Sequence, residues 1–206
     1  MPVAPAQRLY ARLAADYDRR WARYVRATTS LALDHLPLRP GLRVVDVGCG
    51  TGVLLERVLD REPSATCVGI DVTPEMLAVA VQRLGRRATF VRGSATQLPL
   101  PDRSADVVVS TNALHYLADP ARLVAEARRV LVPGGLLVVS DWCAEFMTMR
   151  TLGVVLRTLK QGHETVWTTT ACVASFEGSG FTDVQARRDR LDWFWGLMTV
   201  RGRAPG

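Results

Sequence analysis

The stretch "VVDVGCGTG", residues 44–52, sets one aspartate inside an apolar run and follows it with glycines at 48, 50 and 52. An apolar, β-branched run without alternation is what a strand needs when both of its faces are covered, the condition of a parallel sheet. Glycines directly after such a strand allow a tight turn into a helix, and a helical pattern follows at 53–59. Strand, turn and helix make the first half of a βα unit, and the same alternation recurs downstream.

Further strand candidates are "TCVGIDV" from Thr66, "ATFVRGS" from Ala88, "ADVVVST" from Ala105 and "GLLVVSDW" from Gly135. Between them lie helical patterns at 74–84, with proline at its start, and at 120–131, with a glycine pair just beyond. This rhythm predicts a doubly wound α/β sheet with helices on both faces. After Trp142 the rhythm changes. "FMTMRTLGVVLRTLKQG" and "TTACVASFEGSGF" read as helices, the second with threonines to cap it and glycines to end it. "DVQARRDR" and "FWGLMTVRG" read as two closing strands joined through Asp192 and Trp193, with Trp195 and Met198 as core. Ahead of Arg43, residues 8–36 form one or two amphipathic helices, expected across the top of the sheet. Residues 1–39 are therefore read as an N-terminal helical lid and residues 40–206 as one domain.

Composition narrows the function classes. A chain of 206 residues with 48% hydrophobic and 22% charged residues is ordinary for a soluble globular domain. No run approaches a membrane span, and the start lacks a basic segment followed by an apolar one, so a cytoplasmic protein is expected. Cys49, Cys67, Cys143 and Cys172 form no CxxC pair, which argues against a zinc site or a redox motif and fits free thiols in a reducing compartment. The net charge is +6, yet Lys160 is the only lysine and the arginines are dispersed, so nucleic acid is not the expected partner.

The glycine turn alone does not name a ligand. Asp46 does more, because a carboxylate at the mouth of a pyrophosphate cradle would repel its ligand, whereas it suits one with a positive group and no phosphate. S-adenosylmethionine carries both an ammonium and a sulfonium. Asp71, at the end of the second strand, stands where an acidic side chain accepts from both ribose hydroxyls. Val72 would press on the adenine face, and the loop "GSATQL" would close over its edge.

With these motifs in place, the chain resembles the class I S-adenosylmethionine-dependent methyltransferases, and in particular the small-molecule, type 11-like members. The resemblance rests on "VVDVGCGTG", "GIDVTPEML", "GSATQLPLPDRSADVVVSTNALHYL", "RLVAEARRVLVPGGLLVVSD" and "GFTDV" in that order, over residues 40–184. "YARLAADYDRRW" is similar to the lid of members that act on small molecules. The resemblance implies a Rossmann-like sheet of about seven strands with the last antiparallel, S-adenosyl-L-methionine as cofactor, and transfer of its methyl group to a small-molecule acceptor. It implies that Asp46 and the backbone at Gly48, Cys49 and Gly50 hold the methionine moiety, that Asp71 binds the ribose with Val72 against the adenine, and that Ser94 and Ala95 meet the adenine edge. Thr111 would lie beside the amino-acid end, and Tyr17 would reach the carboxylate from the lid. Many relatives carry aspartate where Ser94 stands.

Methyl transfer from a sulfonium needs alignment and exclusion of water, with no metal, and needs a base only for an acceptor that arrives protonated. His115, after the fourth strand, is the candidate base, against a purely structural place in its loop. Trp21, Tyr116, Trp142 and His163 are candidate acceptor contacts, with the acceptor side expected around residues 142–168. The acceptor atom stays open between oxygen, nitrogen, sulfur and carbon, and nothing in the sequence speaks to oligomeric state. Three alternatives stand beside this reading. A methyltransferase acting on RNA, DNA or protein lacks support from an "NPPY"-like segment, since Ser110-Thr111-Asn112-Ala113 stands there. A nicotinamide-dependent reductase would want a tyrosine four residues before its lysine, where Leu156 stands. The third is a non-catalytic S-adenosylmethionine-binding partner of another enzyme.

Overall fold

A computed structural model describes residues 5–159, 162 and 165–206. His163 and Lys160 lie outside the described residues. Two helices, α1 (Pro5–Leu13) and α2 (Tyr17–Leu33), precede strand β1 (Arg43–Val47). Then follow α3 (Val53–Arg61), β2 (Thr66–Asp71), α4 (Pro74–Leu84), β3 (Thr89–Arg92), β4 (Ala105–Thr111), α5 (Pro120–Val130), β5 (Leu131–Trp142), α6 (Met147–Thr158), α7 (Thr169–Gly178), β6 (Thr182–Arg190) and β7 (Gly196–Arg203). Short 3-10 turns cover Gly85–Arg87 and Leu114–Tyr116.

The strands form one sheet in the order β3-β2-β1-β4-β5-β7-β6. β1 to β5 are mutually parallel, and β7 runs antiparallel to both β5 and β6. The two-residue period of a strand sends successive side chains to opposite faces, which explains why both parities are apolar. Val44, Val107 and Val138 join Leu33, Leu54, Leu55 and Val58 on one face. Val45, Val108 and Val139 join Leu123, Val124, Ala127 and Phe176 on the other. Burying an aliphatic side chain of this kind contributes roughly 1.5–3 kcal/mol, so the two half-cores lock the sheet from both sides.

From β1 the chain winds outward to β2 and β3, and then crosses back to place β4 on the opposite side of β1. At such a switch point the loops after the strands diverge and leave a crevice at their C-terminal ends. Asp46, opposite Val109 in the register, stands at its floor.

Two local readings are corrected by the structure. The glycine pair expected to end a helix at 131 lies inside β5, which begins at Leu131 because that residue already pairs with Ala105 before a register shift. The last strand begins at Gly196 rather than at Phe194. Asp192 Oδ1 accepts from the backbone N–H groups of Phe194 and Trp195, both at 2.8 Å, and this turn leaves Trp193 79% exposed. Met198 is core as expected, but Trp195 is only half-buried and faces a chamber.

Candidate active site

The crevice at the switch point is a cleft of about 1050 Å³, including its open mouth. Its floor is the glycine turn. Gly48 and Cys49 donate backbone N–H bonds to Ile70 O at 2.8 and 3.1 Å, which pulls the turn onto the end of β2. Gly48 has φ +77°, and a Cβ there would sit 2.6 Å from the Cβ of Ala113, so conformation and space both require glycine. Asp71 braces the turn from the next strand: its Oδ2 accepts from Gly50 N at 2.9 Å and its Oδ1 from Thr73 N at 2.8 Å.

Asp46 is 1% exposed, and its Oδ1 has no hydrogen-bond partner among the described residues. Burial, with Asp71 nearby, pushes its carboxyl from an ordinary 3.8 up to about 8. A buried carboxylate oxygen of this kind is stabilised by a cationic donor placed against it. Val72, Ser94, Ala95 and Thr111 complete the cleft wall. Val72 is 43% exposed within it. Ser94 Oγ pairs with Thr96 Oγ1 at 2.9 Å and accepts from Thr96 N, so the serine at this position shapes its own loop. The residues therefore fit S-adenosylmethionine: an unsatisfied carboxylate for the ammonium, a glycine turn open to close approach, and an apolar side for the base.

The N-terminal helices cover this cleft. Gln7 Nε2 donates to Val72 O at 2.9 Å. Thr51 Oγ1, in the glycine turn, donates to Asp18 Oδ1 at 2.6 Å. Arg83 binds Asp18, Glu56 and Thr51 O together, so one guanidinium ties α2, α3, α4 and the turn.

A second chamber of about 920 Å³, including its open mouth, adjoins the first. Tyr10, Tyr17, Asn112 and Tyr116 line both, so the two share one wall. Among the described residues, fourteen surround the second chamber; eight of these are tyrosine, tryptophan or phenylalanine, and none is an aspartate, glutamate, lysine or arginine. The candidates Tyr17, Trp21, Tyr116 and Trp142 all meet there, as does His115. Sequence reasoning missed Tyr10, Tyr24, Phe194, Trp195 and Asn112 in this chamber, and also Asp141 behind it. The Tyr24 hydroxyl accepts from Trp142 Nε1 at 2.7 Å and donates to Asn112 Oδ1 at 2.6 Å, while Asn112 Nδ2 donates to Thr28 Oγ1 at 2.9 Å. The Tyr10 and Tyr116 hydroxyls lie 2.5 Å apart. Burial raises the ionisation of all four tyrosines well above the ordinary phenol value.

His115 and Asp141 are 3% and 2% exposed, with His115 Nδ1 at 2.5 Å from Asp141 Oδ1. Asp141 also accepts from Leu114 N through Oδ2 and from Trp142 N through Oδ1. The Trp142 ring stacks on the imidazole at 4.0 Å between centroids and 6° between planes. Among the described residues no cluster of His, Cys, Asp and Glu is arranged to hold a metal ion.

Residues 45–139 match the family described as "Methyltransferase domain". The chain belongs to the class I S-adenosylmethionine-dependent methyltransferases. It is 38% identical over 144 residues to the demethylmenaquinone methyltransferase of Deinococcus radiodurans, a match covering 68% of this chain and 57% of that one. The chain spans between 34% and 62% of the length of the curated relatives it matches. Among solved structures, a chain from the complex of the Haloferax volcanii Trm112 methyltransferase activator with a methyltransferase superimposes with a TM-score of 0.83 at 24% identity, over 96% of this chain and 98% of that one. The [4+2]-cyclase SpnF superimposes with a TM-score of 0.76 at 20% identity, over 100% of this chain and 98% of that one. These two likenesses establish the fold of the methyltransferase, and the second warns that this fold hosts more than one chemistry. No helix among the described residues is long and apolar enough to cross a membrane.

Proposed function

We propose that this methyltransferase transfers the methyl group of S-adenosylmethionine to a small-molecule acceptor held in the second chamber. The observation that carries the reading is the shared wall: a cleft with an unsatisfied buried carboxylate opens beside an aromatic chamber, with four residues common to both. When bound, S-adenosylmethionine supplies a methyl group already activated on a sulfonium. Asp46 takes the ammonium through Oδ1, the turn at Gly48, Cys49 and Gly50 approaches the methionine backbone, and Asp71 offers its remaining lone pairs to the ribose. Val72, Ser94 and Ala95 bound the adenine, with Thr111 and Tyr17 at the amino-acid end. Residues 1–39 act as a lid on the domain formed by residues 40–206.

The chain's own part in the reaction is to align the acceptor and exclude water, both of which lower the barrier to such a displacement. The tyrosines of the shared wall serve both ends, since their electron-rich rings favour a cation and their apolar bodies displace solvent. A chamber whose described lining carries no arginine, lysine or carboxylate supports a small molecule over a nucleic acid, whose phosphates would call for arginines at the mouth. The Deinococcus relative is named for demethylmenaquinone, a small molecule rather than a nucleic acid. We place the protein in the cytoplasm, in keeping with four unpaired buried cysteines.

Calorimetric titration with S-adenosylhomocysteine tests the donor site: a saturable 1:1 isotherm is expected, weakened at least tenfold in Asp46→Asn. A flat isotherm with the wild-type chain overturns the reading.

A further inference from the structure

The outer side of α6 and the turn at residues 192–195 carry more apolar surface than the fold covers. Six of the twelve residues of α6 are apolar, yet only Met149 is buried. Leu152 and Leu156 turn toward the second chamber, whereas Met147, Val154 and Val155 are exposed, as is Leu159 just beyond the helix. With Trp193, these make five of the eight exposed large hydrophobic side chains among the described residues. They form one surface. Thr148 Oγ1 donates to Phe194 O at 2.6 Å, so the turn abuts the start of α6. Residues seven apart share a helix face. Val155 therefore lies in the row of Thr148 and Val154 in the row of Met147, each about 10 Å farther along the axis. Apolar side chains thus run from the turn along the helix to Leu159.

Cations rim this surface. Arg150 is exposed one turn before Val154, and α6 contains no acidic residue. The Arg190 guanidinium lies 5.0 Å from the centre of the Phe146 ring, at the entry to the helix. The Asp192 carboxyl is held below its ordinary range by the N–H groups of Trp195 and Phe194 and, beyond them, by Arg23 of α2, which places Arg23 beside the turn. The acids nearby are already engaged: Asp192 by those two N–H groups, Asp189 by Arg187 at 2.7 Å, and Glu145 by Thr169 N at 2.8 Å.

We propose that this face docks on an anionic phospholipid bilayer, with Trp193 and the outer rows of α6 entering the interface and Arg23, Arg150 and Arg190 meeting the headgroups. Side chains that are 45% to 79% exposed project from the surface rather than line a groove. A fluid interface accepts projecting apolar groups without needing a matching shape, and anionic headgroups attract the cations around them. Tryptophan is favoured where an apolar body meets headgroups. A nucleic acid could use the arginines and stack on Trp193, but it offers nothing to Met147, Val154, Val155 and Leu159. A second copy of this chain would bring the two arginine rims together. Docking sets α6 and the 192–195 turn, which also line the second chamber, against the membrane. It involves none of the residues placed at the donor site.

The test is co-sedimentation of the full chain with phosphatidylcholine vesicles and with vesicles of equal parts phosphatidylcholine and phosphatidylglycerol. Binding to the anionic vesicles is expected to be about tenfold tighter or more, and to weaken as salt is raised from about 0.1 to 0.5 M. Trp193→Ser combined with Val155→Ser is expected to weaken that binding at least tenfold while S-adenosylhomocysteine affinity stays within twofold. Arg150→Gln and Arg190→Gln are each expected to weaken it about fivefold. Brominated lipid in the anionic vesicles should quench the tryptophan fluorescence of the wild-type chain, and most of that quenching should disappear in Trp193→Leu. Equal binding to the two vesicles, binding to neither, or undiminished binding by the double variant overturns the proposal. So does self-association in sedimentation velocity, or retention of a single-stranded RNA, that the double variant abolishes while wild type leaves vesicles unbound. Should the double variant fail to fold, the contrast between the two vesicles and the quenching by brominated lipid still decide. Loss of vesicle binding with a normal S-adenosylhomocysteine isotherm leaves the donor-site reading intact.

Discussion

The carboxylate of Asp71 holds the backbone N–H of Gly50 at 2.9 Å, so the end of β2 fixes the shape of the turn that leaves β1. The same carboxylate takes Thr73 N at the start of α4. Under the proposed donor-site reading, donor recognition and turn geometry therefore depend on one side chain. Asp71→Ala removes two acceptors from half-buried N–H groups and is expected to lower stability by about 1–3 kcal/mol. It should also weaken S-adenosylhomocysteine by about 10- to 100-fold, the equivalent of ~1.4–2.8 kcal/mol. Thermal melting and calorimetry separate the two effects.

Asp46 should make donor binding depend on pH. Its carboxyl is raised to about 8, so at neutral pH it is largely protonated in the ligand-free protein, and an ammonium binds its ionised form. Affinity for S-adenosylhomocysteine should rise from pH 6 to about 8 and then level off, with protons released on binding below that plateau. The ligand-free stability has the opposite sign: the folded state holds a proton that the unfolded chain has lost, so stability falls as pH rises between about 4 and 8. Asp46→Asn should flatten both profiles, raise the ligand-free melting temperature at pH 8 and weaken the ligand. Melting curves at pH 5 and 8 with and without ligand check all three.

Gly48→Ala is expected to be among the most damaging single changes. Its Cβ would meet Ala113 at 2.6 Å while the backbone keeps φ +77°. Strain and overlap together should cost about 2–4 kcal/mol, read as a drop in the urea midpoint with unchanged slope. Gly50, with no atom within 4 Å of an added Cβ, should tolerate alanine better in the ligand-free state.

Arg83→Ala cuts a guanidinium that joins α2 to the glycine turn. Its partners are partly solvated, so the stability loss should be only about 1–2 kcal/mol. Hydrogen exchange should accelerate across α1 and α2 and little elsewhere, and the off-rate of S-adenosylhomocysteine should increase about fivefold or more. Uniform acceleration across the sheet would contradict a local latch.

The sheet and the cleft proposed for the donor were legible because each is written locally. Continuous apolar runs mark strands covered on both faces, and the aspartate and glycines of residues 44–52 lie within one turn of each other. The acceptor chamber was not legible in that way. Tyr10, Tyr24, Asn112 and Trp195 are far apart in sequence, and each alone is indistinguishable from a core residue. Asp141 carried a weak signal, as an acid ending the apolar run "LLVVSD" beside an expected pocket tryptophan. Its pairing with His115, 26 residues earlier, depends on β5 lying next to β4. Trp195 was misread as core because its neighbours are apolar, whereas the Asp192 turn rotates it out of the strand.

The division of labour between the two cavities bears on how such a protein diverges. The donor cleft is built chiefly from strand ends and the turns that leave them, whereas Leu9, Leu13, Trp21, Tyr24, Leu152, Leu156, Phe194 and Trp195 stand on helices and a turn outside the sheet. Substitutions or even length changes in those peripheral segments can reshape the guest chamber while the methyl source stays fixed. Descendants of this scaffold can therefore exchange acceptors without relearning the donor, and a designer can graft new α1, α6 and 192–195 segments onto an unaltered sheet.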